Sequence, residues 1–373
     1  MDIDQPLRLL GDLTPAQFMK RHWQKKPLLV RQAIPGFEPL LSRSALFDLA
    51  GDETVESRLV GQAGGGWQMR QGPFGRRALP PLGQPEWTLL VQGVDLHHAG
   101  VHALLRRFRF VPDARLDDVM ISYATDGGGV GPHFDSYDVF LLQAHGQRHW
   151  RIGRQKDLSL VEGLPLKILA RFEPEEEYLL DPGDMLYLPP RWAHDGVAAG
   201  ECMTYSIGFR QPARGELARE LLQRLADEAG EALGDAAYRD PGQPATATPA
   251  LLPGAMLDFA RDAVARALRD SGRLAMLLGE ALTEPKPSVW FDARGGDAQV
   301  AAAVVLDRRT RMLYDARHVF INGESYRAGG RDARLMRRLA DGRALAARDI
   351  AALSADAREL LGQWKQAGWL HDD

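Results

Sequence analysis

His133 and Asp135 are one residue apart at the head of an apolar run, and side chains i and i+2 on a strand point to one face, so both can reach a single metal ion. Far downstream, the segment GDMLYLPPRWAH at 183–194 has the form G-D-x(4)-P-x(4)-H: a turn launches a strand, and proline ends it just before His194. Two imidazoles and one carboxylate leave about three of six octahedral positions open, the arrangement of non-haem Fe(II) oxygenases, which must bind cosubstrate and O₂ together. A structural zinc site would close all its positions. The chemistry expected of His133, Asp135 and His194 is therefore redox oxygenation at an open metal.

Competing constellations are poorer. His98 and His102 sit at i, i+4 in a predicted helix, DLHHAGVHALLRRF, but Ala99 stands where a metallopeptidase helix would need glutamate, so a surface or packing role is expected. His145 and His149 are expected behind the site or on the exterior. The glycine run GGGVG at 127–131 lacks the Lys-Ser/Thr of a phosphate cradle and leads into Pro132, which predicts a flexible loop at a pocket mouth. No nucleophile-elbow motif or dinucleotide fingerprint is present.

The elements that position the triad read as short strands with Gly/Pro punctuation: Asp118–Ala124, Tyr137–Ala144, Tyr178–Leu180, Met185–Leu188 and Met203–Phe209. Such texture predicts a barrel or sandwich. From Arg214 it changes. Leu217, Leu221, Leu225 and Ala229 recur at i, i+4 in an amphipathic helix over Gly215–Leu233; a Pro/Ala/Thr linker follows at Asp240–Gly254, and helical periodicity resumes over Ala255–Leu282. Beyond Pro287 a strand is expected at Gln299–Leu306, a pair at Met312–Tyr314 and His318–Ile321, and helices at Ala333–Ala340 and Ala355–Ala367, a winged-helix-like mixture.

On the motifs HFD (133–135), GQRHW (146–150) and DPGDMLYLPPRWAH (181–194), the first 210 residues resemble the JmjC-type, cupin-fold 2-oxoglutarate oxygenases, and the full chain resembles the bacterial ribosomal oxygenases. The resemblance implies an α+β fold with a double-stranded β-helix (a cupin/JmjC-like jelly roll) at 1–212, a helical dimerisation module at 213–284 and a winged-helix-like domain at 285–373. It implies Fe(II), 2-oxoglutarate and O₂, and hydroxylation of an arginine β-carbon in a large-subunit ribosomal protein. Arg148 replaces the lysine of the JmjC G-x-K-x-W pattern and would offer its guanidinium fork to the distal carboxylate of 2-oxoglutarate. Ser122 would add a hydroxyl, with Ser206 and Tyr123 as weaker candidates. Tyr137 is a candidate substrate contact or a packing residue, and Asp126 and Asp138 are candidate counter-charges for a guanidinium.

Two other readings use the same residues: a JmjC-type demethylase or small-molecule hydroxylase, and a non-catalytic cupin-like binding module. A formal net charge of -4 excludes a globally basic nucleic-acid binder, although 307–348 carries 11 Arg against five acids, either a solvated surface or a site for RNA or an acidic partner. The single cysteine, Cys202, excludes internal disulfides and reads as a small buried strand residue. The acidic start lacks a signal-peptide pattern, and no apolar run suits a membrane span, so a cytoplasmic protein is expected. The apolar stripes of the middle helices predict a homodimer.

Overall fold

Thr14 accepts a hydrogen bond from the Gln17 amide while the Gln17 side chain accepts one from the Thr14 amide, and Pro15 supplies a helical φ between them. This capping box starts α1 (Pro15–Arg21); β1 (Leu28–Val30) and α2 (Arg43–Leu49), capped by Ser42, follow. The computed structural model describes residues 2–63, 66–293, 300 and 302–373. They fall into two units, Met1–Gln211 and Pro212–Asp373.

The first unit continues with β2 (Ser57–Ala63), β3 (Gly66–Gln71), β4 (Trp87–Val91), α3 (Val94–His97), α4 (Ala99–Arg106), β5 (Leu116–Ala124), β6 (His133–Phe134), β7 (Val139–Gly153), β8 (Glu176–Leu180), β9 (Met185–Leu188) and β10 (Ala193–Phe209). Its sheet runs β1-β9-β7-β10-β5-β4-β2-β3, with β6 on β10 and β8 on β7. β7 pairs with β9 through Val139–Leu142, with β8 through Arg148–Ile152, and with β10 on its other edge. One long strand thus serves two short ones, which curls the sheet into the expected double-stranded β-helix.

Strand alternation divides this unit into two layers. Val139, Leu141, Trp150, Ile152, Leu180, Leu186 and Leu188 pack together on the inner face. Phe140, Leu142, Tyr187, Tyr205 and Ile207 face outward, onto Phe18 of α1 and the helices. Phe18 meets Tyr187 edge-on at 4.9 Å. Each such buried aromatic contributes about 1.5–3 kcal/mol. The outer layer therefore holds the sheet's shape, leaving inner positions free to carry polar side chains.

Two details differ from expectation. The strand predicted at Tyr137–Ala144 begins only at Val139 and runs to Gly153, so GQRHW lies on it. The predicted helix containing His98 and His102 is two helices, because His98 leaves the helical region and its Nδ1 caps α4 by accepting from the Val101 amide.

The second unit opens with α5 (Arg214–Leu233), α6 (Gly254–Ala267) and α7 (Ser271–Thr283). The single helical stretch expected over Ala255–Leu282 is broken because the Asp270 carboxylate accepts from the Gly272 and Arg273 amides, a cap that starts a new helix. There follow β11 (Val304–Leu306), β12 (Met312–Tyr314), β13 (His318–Ile321), β14 (Glu324–Arg327), α8 (Gly330–Gly342), β15 (Ala344–Leu345), α9 (Ala347–Ala351), α10 (Ala355–Gln366) and β16 (Leu370–Asp372). Of the strand expected at Gln299–Leu306, Gln299 and Ala301 lie outside the described residues. Val304, Leu306, Ile321, Leu339, Leu361, Trp364 and Leu370 form the core between the sheets β15-β11-β16 and β12-β13-β14 and helices α8 and α10.

Much of the arginine excess is used internally: Arg309 binds Asp307, Arg338 pairs with Asp349 at 2.8 Å, and Arg337 and Arg343 donate to backbone carbonyls. Among the described residues no helix is long and apolar enough to cross a membrane.

Candidate active site

β6 and β10 bring the triad together. His133 pairs with His194 in register, and the ligand atoms of His133, Asp135 and His194 lie within 4.8 Å of one another. The two rings are 4.2 Å apart, and His194 Nε2 is 3.7 Å from Asp135 Oδ2. Each imidazole is set by its own backbone: His133 Nδ1 bonds the Gly131 carbonyl at 2.8 Å and His194 Nδ1 the Trp192 carbonyl at 2.9 Å. With Nδ1 donating to a carbonyl, Nε2 is left as a lone-pair donor. The Arg191 amide holds the Asp135 carbonyl at 2.8 Å. Burial, and then the neighbouring His133, lower the pKa of His194 to about 4, which keeps it neutral and fit to ligate at pH 7.

The glycine run is not the flexible loop expected from sequence. The Gly127 amide donates to the Ala198 carbonyl, the Ala198 amide to Gly128, and Gly128 closes a turn on Thr125. At Gly131, φ is +76° and a Cβ would stand 2.5 Å from Ile168 and 2.8 Å from Trp67, so only glycine can present its carbonyl to His133 here.

Along the inner face a row runs from the triad into the barrel. Trp150 lies 5.8 Å from His194 between ring centres, and Gly196 lets it in, since a Cβ there would meet the indole at 2.6 Å. The Arg148 guanidinium sits over the same indole at 5.7 Å. Arg148 is only 4% exposed, its Nε has no partner, and its Nη2 reaches the Cys202 thiol at 3.5 Å. Among the described residues it makes no ion pair. A buried guanidinium costs several kcal/mol unless an anion neutralises it. The donor set and this orphaned cation together fit a metal chelated by a keto acid whose far end is a carboxylate.

Ser122 and Ser206 lie on this inner face, in register with Thr204 and Leu141 of β10 and β7 respectively. The Ser122 hydroxyl is buried and directed at the Thr204 carbonyl at 3.4 Å. Thr204 in turn donates to Gln143 at 2.9 Å. Gln143 and Thr204 are buried polar residues that the sequence reading missed; a lone glutamine in the apolar run VFLLQA was the available signal.

Other candidates lie elsewhere. Tyr123 alternates to the outer face, edge-on to Phe47 at 5.1 Å, and burial raises its pKa to about 12; it packs. Asp138 is fully buried beneath that layer, accepting from Tyr187 at 2.6 Å and Gln24 at 3.1 Å, and so is no counter-charge for a substrate. Asp126 instead pins the Gly200 amide at 2.8 Å. Tyr137 sits in a bend after β6, not on the strand as expected, and is 39% exposed. Its hydroxyl end is desolvated and lies near Asp135 and Asp118, and all three effects raise its pKa, while Arg58 opposes them. His145 is exposed and His149 faces Glu177 at 3.3 Å outside the barrel.

A double-stranded β-helix holding an open His/Asp/His triad beside a buried, unpaired arginine defines a cupin-type, metal-dependent oxygenase. Residues 103–217 match the JmjC domain family, and residues 266–371 match the ROXA-like winged helix. The ribosomal protein uL16 3-hydroxylase of Escherichia coli (strain K12) is 38% identical over 273 residues, 72% of this chain and 71% of that protein. The crystal structure of the E. coli ribosomal oxygenase YcfD superposes with a TM-score of 0.82 at 31% identity, covering 97% of this chain and 98% of that one. YcfD in complex with cobalt and 2-oxoglutarate superposes at 0.77, with 32% identity over 96% of this chain and 98% of that one. The chain belongs to the ribosomal oxygenases, the JmjC-type 2-oxoglutarate-dependent dioxygenases of this architecture.

Proposed function

We propose that this enzyme hydroxylates the β-carbon of an arginine in a large-subunit ribosomal protein, with His133, Asp135 and His194 holding Fe(II). The observation that carries the reading is the buried, unpaired Arg148 on the same inner face as the triad, reached through Trp150. When bound, Fe(II) with 2-oxoglutarate and O₂ supplies the oxidising power for C–H hydroxylation, the cosubstrate leaving as succinate and CO₂.

The chain's own groups do the positioning. Arg148 receives the distal carboxylate in a water-poor setting, where a charge-assisted fork is strong. Ser122 adds a hydroxyl by turning from the Thr204 carbonyl. Trp150 walls the cavity beside His194 and excludes water from the reacting face. Tyr137, 39% exposed in the bend after β6, meets the substrate side chain at the rim. The uL16 activity of the E. coli relative supports the substrate class.

The helices of 213–284 form a homodimer module in this reading, with 1–212 catalytic and 285–373 winged-helix-like. On α6 and its flanks Leu251, Met256, Phe259, Val264 and Leu268 are 41–73% exposed, which suits a second copy. Sedimentation should show a dimer at micromolar concentration and a monomer for a Phe259→Glu/Val264→Glu double variant. The enzyme works in the cytoplasm, consistent with a lone buried cysteine.

The test is mass spectrometry of ribosomal proteins incubated with the enzyme, Fe(II), 2-oxoglutarate and O₂, with His133→Ala as control. One added oxygen, about +16 Da, on an arginine-containing peptide is expected; turnover of 2-oxoglutarate with no ribosomal peptide modified would refute the substrate.

A further inference from the structure

Beyond Arg148 the inner-face row ends abruptly. Arg148 pairs with Ala198 in register, Cys202 pairs with Ala124, and these three small residues make a buried cluster of their own. His194, Trp150, Arg148 and Cys202 follow one another in that order from the metal end, through contacts of 5.8, 5.7 and 3.5 Å. Among the described residues the thiol, itself fully buried, is the one side-chain group at hydrogen-bond distance from the guanidinium. Sulfur is a weak acceptor, and the buried Nε beside it has no partner, so this guanidinium lacks the strong acceptors that a buried cation calls for.

We propose that Cys202, with Ala124 and Ala198, forms the end wall of the cosubstrate pocket and is a specificity-determining residue that limits the 2-oxo diacid to five carbons. The inference rests on the reading of Arg148 as the distal carboxylate's partner. A diacid with one more methylene carries its terminal carboxylate about 1.3 Å deeper, toward the Cys202 sulfur. Strand pairing holds the backbone at both ends of this wall, β5 on one side and β7 on the other, so the backbone cannot retreat without breaking the sheet. Cys202→Ala removes the sulfur while matching the size of its two neighbours. Cys202→Val adds bulk to the same wall.

Calorimetric titration of the Co(II)-loaded full-length enzyme under argon, with 2-oxoglutarate and with 2-oxoadipate, reads binding without turnover. The wild type should prefer the five-carbon acid by at least about tenfold, the usual value of one methylene in a fitted pocket. Cys202→Ala should narrow that preference by about tenfold, and Cys202→Val, checked for a wild-type melting profile, should weaken 2-oxoglutarate by a similar factor. A Cys202→Ala preference within about twofold of wild type, with 2-oxoglutarate still bound, would overturn the end wall and leave the Arg148 reading intact. Undiminished 2-oxoglutarate binding by Arg148→Ala would instead overturn the reading beneath it, and the end wall with it.

Discussion

The inner face of the barrel and the surface of α6 break the ordinary partition of side chains in opposite ways. Inside the barrel, Arg148, His194, Ser122, Gln143 and Thr204 are buried polar groups, and the guanidinium lacks a counter-ion. On α6, Met256, Phe259 and Val264 are apolar groups left in water, and the helix buries none of its residues within the chain. A buried charge without a partner and an exposed apolar stripe are both costly. Each is an unfilled valence: the first calls for a small anion and a metal, the second for a protein surface. In the aromatic layer around Phe18 and in the core around Trp364, apolar side chains are buried together in the ordinary way.

The sharpest break comes from removing a ligand. His133→Ala should abolish stoichiometric metal binding and lower turnover by at least about 1000-fold, beyond the 10–100-fold typical of residues that only orient ligands. Metal content and succinate release check it, and retained activity would show that the triad is not the site. Arg148→Ala should raise KM for 2-oxoglutarate about 100-fold, the loss of charged hydrogen bonds worth about 1.5–3 kcal/mol. Arg148→Lys should recover only about tenfold, because an ammonium keeps charge without the fork. Steady-state kinetics separates these, and an unchanged KM would make Arg148 a structural cation.

How much of this contrast was legible beforehand depends on distance in sequence. The triad announced itself through local spacing, with alternation putting His133 and Asp135 on one face, whereas Arg148 entered through the resemblance of GQRHW to the JmjC pattern. The amphipathic stripes of α5 and α6 were legible through local spacing as well. What was lost needed partners far along the chain. Asp138 looked available until Tyr187 and Gln24 closed over it, and Tyr137 left the strand because pairing begins only at Val139. Short strands such as β14 and β15 carry too few residues to show a period. The break at Asp270 was readable from an Asp-Ser-Gly cap, but the apolar positions on either side continued the helical pattern across it.

Gly196 is the third case, since its need arises only where Trp150 crosses it. Gly196→Ala should cost about 3 kcal/mol, the upper end for overpacking, as the new methyl meets the backed-in indole. Thermal unfolding measures it, and Gly196→Ala combined with Trp150→Phe should recover part of the loss. A wild-type melting temperature for the single variant would show that the indole is free to move, and the inner face would then be less rigid than the outer.

The smallest effect belongs to the second unit, where a charge is buried with its partners supplied. Asp307 accepts from Arg309 at 2.8 Å and from His371 at 2.7 Å. Burial alone would raise its pKa, but the hydrogen bonds from Arg309 and His371 outweigh it and hold the carboxyl far below the usual carboxylate range. A pKa depressed on folding adds stability above the unfolded value of about 4, and that contribution is lost as pH falls through the folded value. Asp307→Asn should therefore cost about 1.5 kcal/mol at pH 7, and its deficit against wild type should shrink at about pH 3 and below. A deficit that is constant with pH would mean that Asp307 acts through packing, and the satisfied ion would then differ less from the orphaned Arg148 than their surroundings imply.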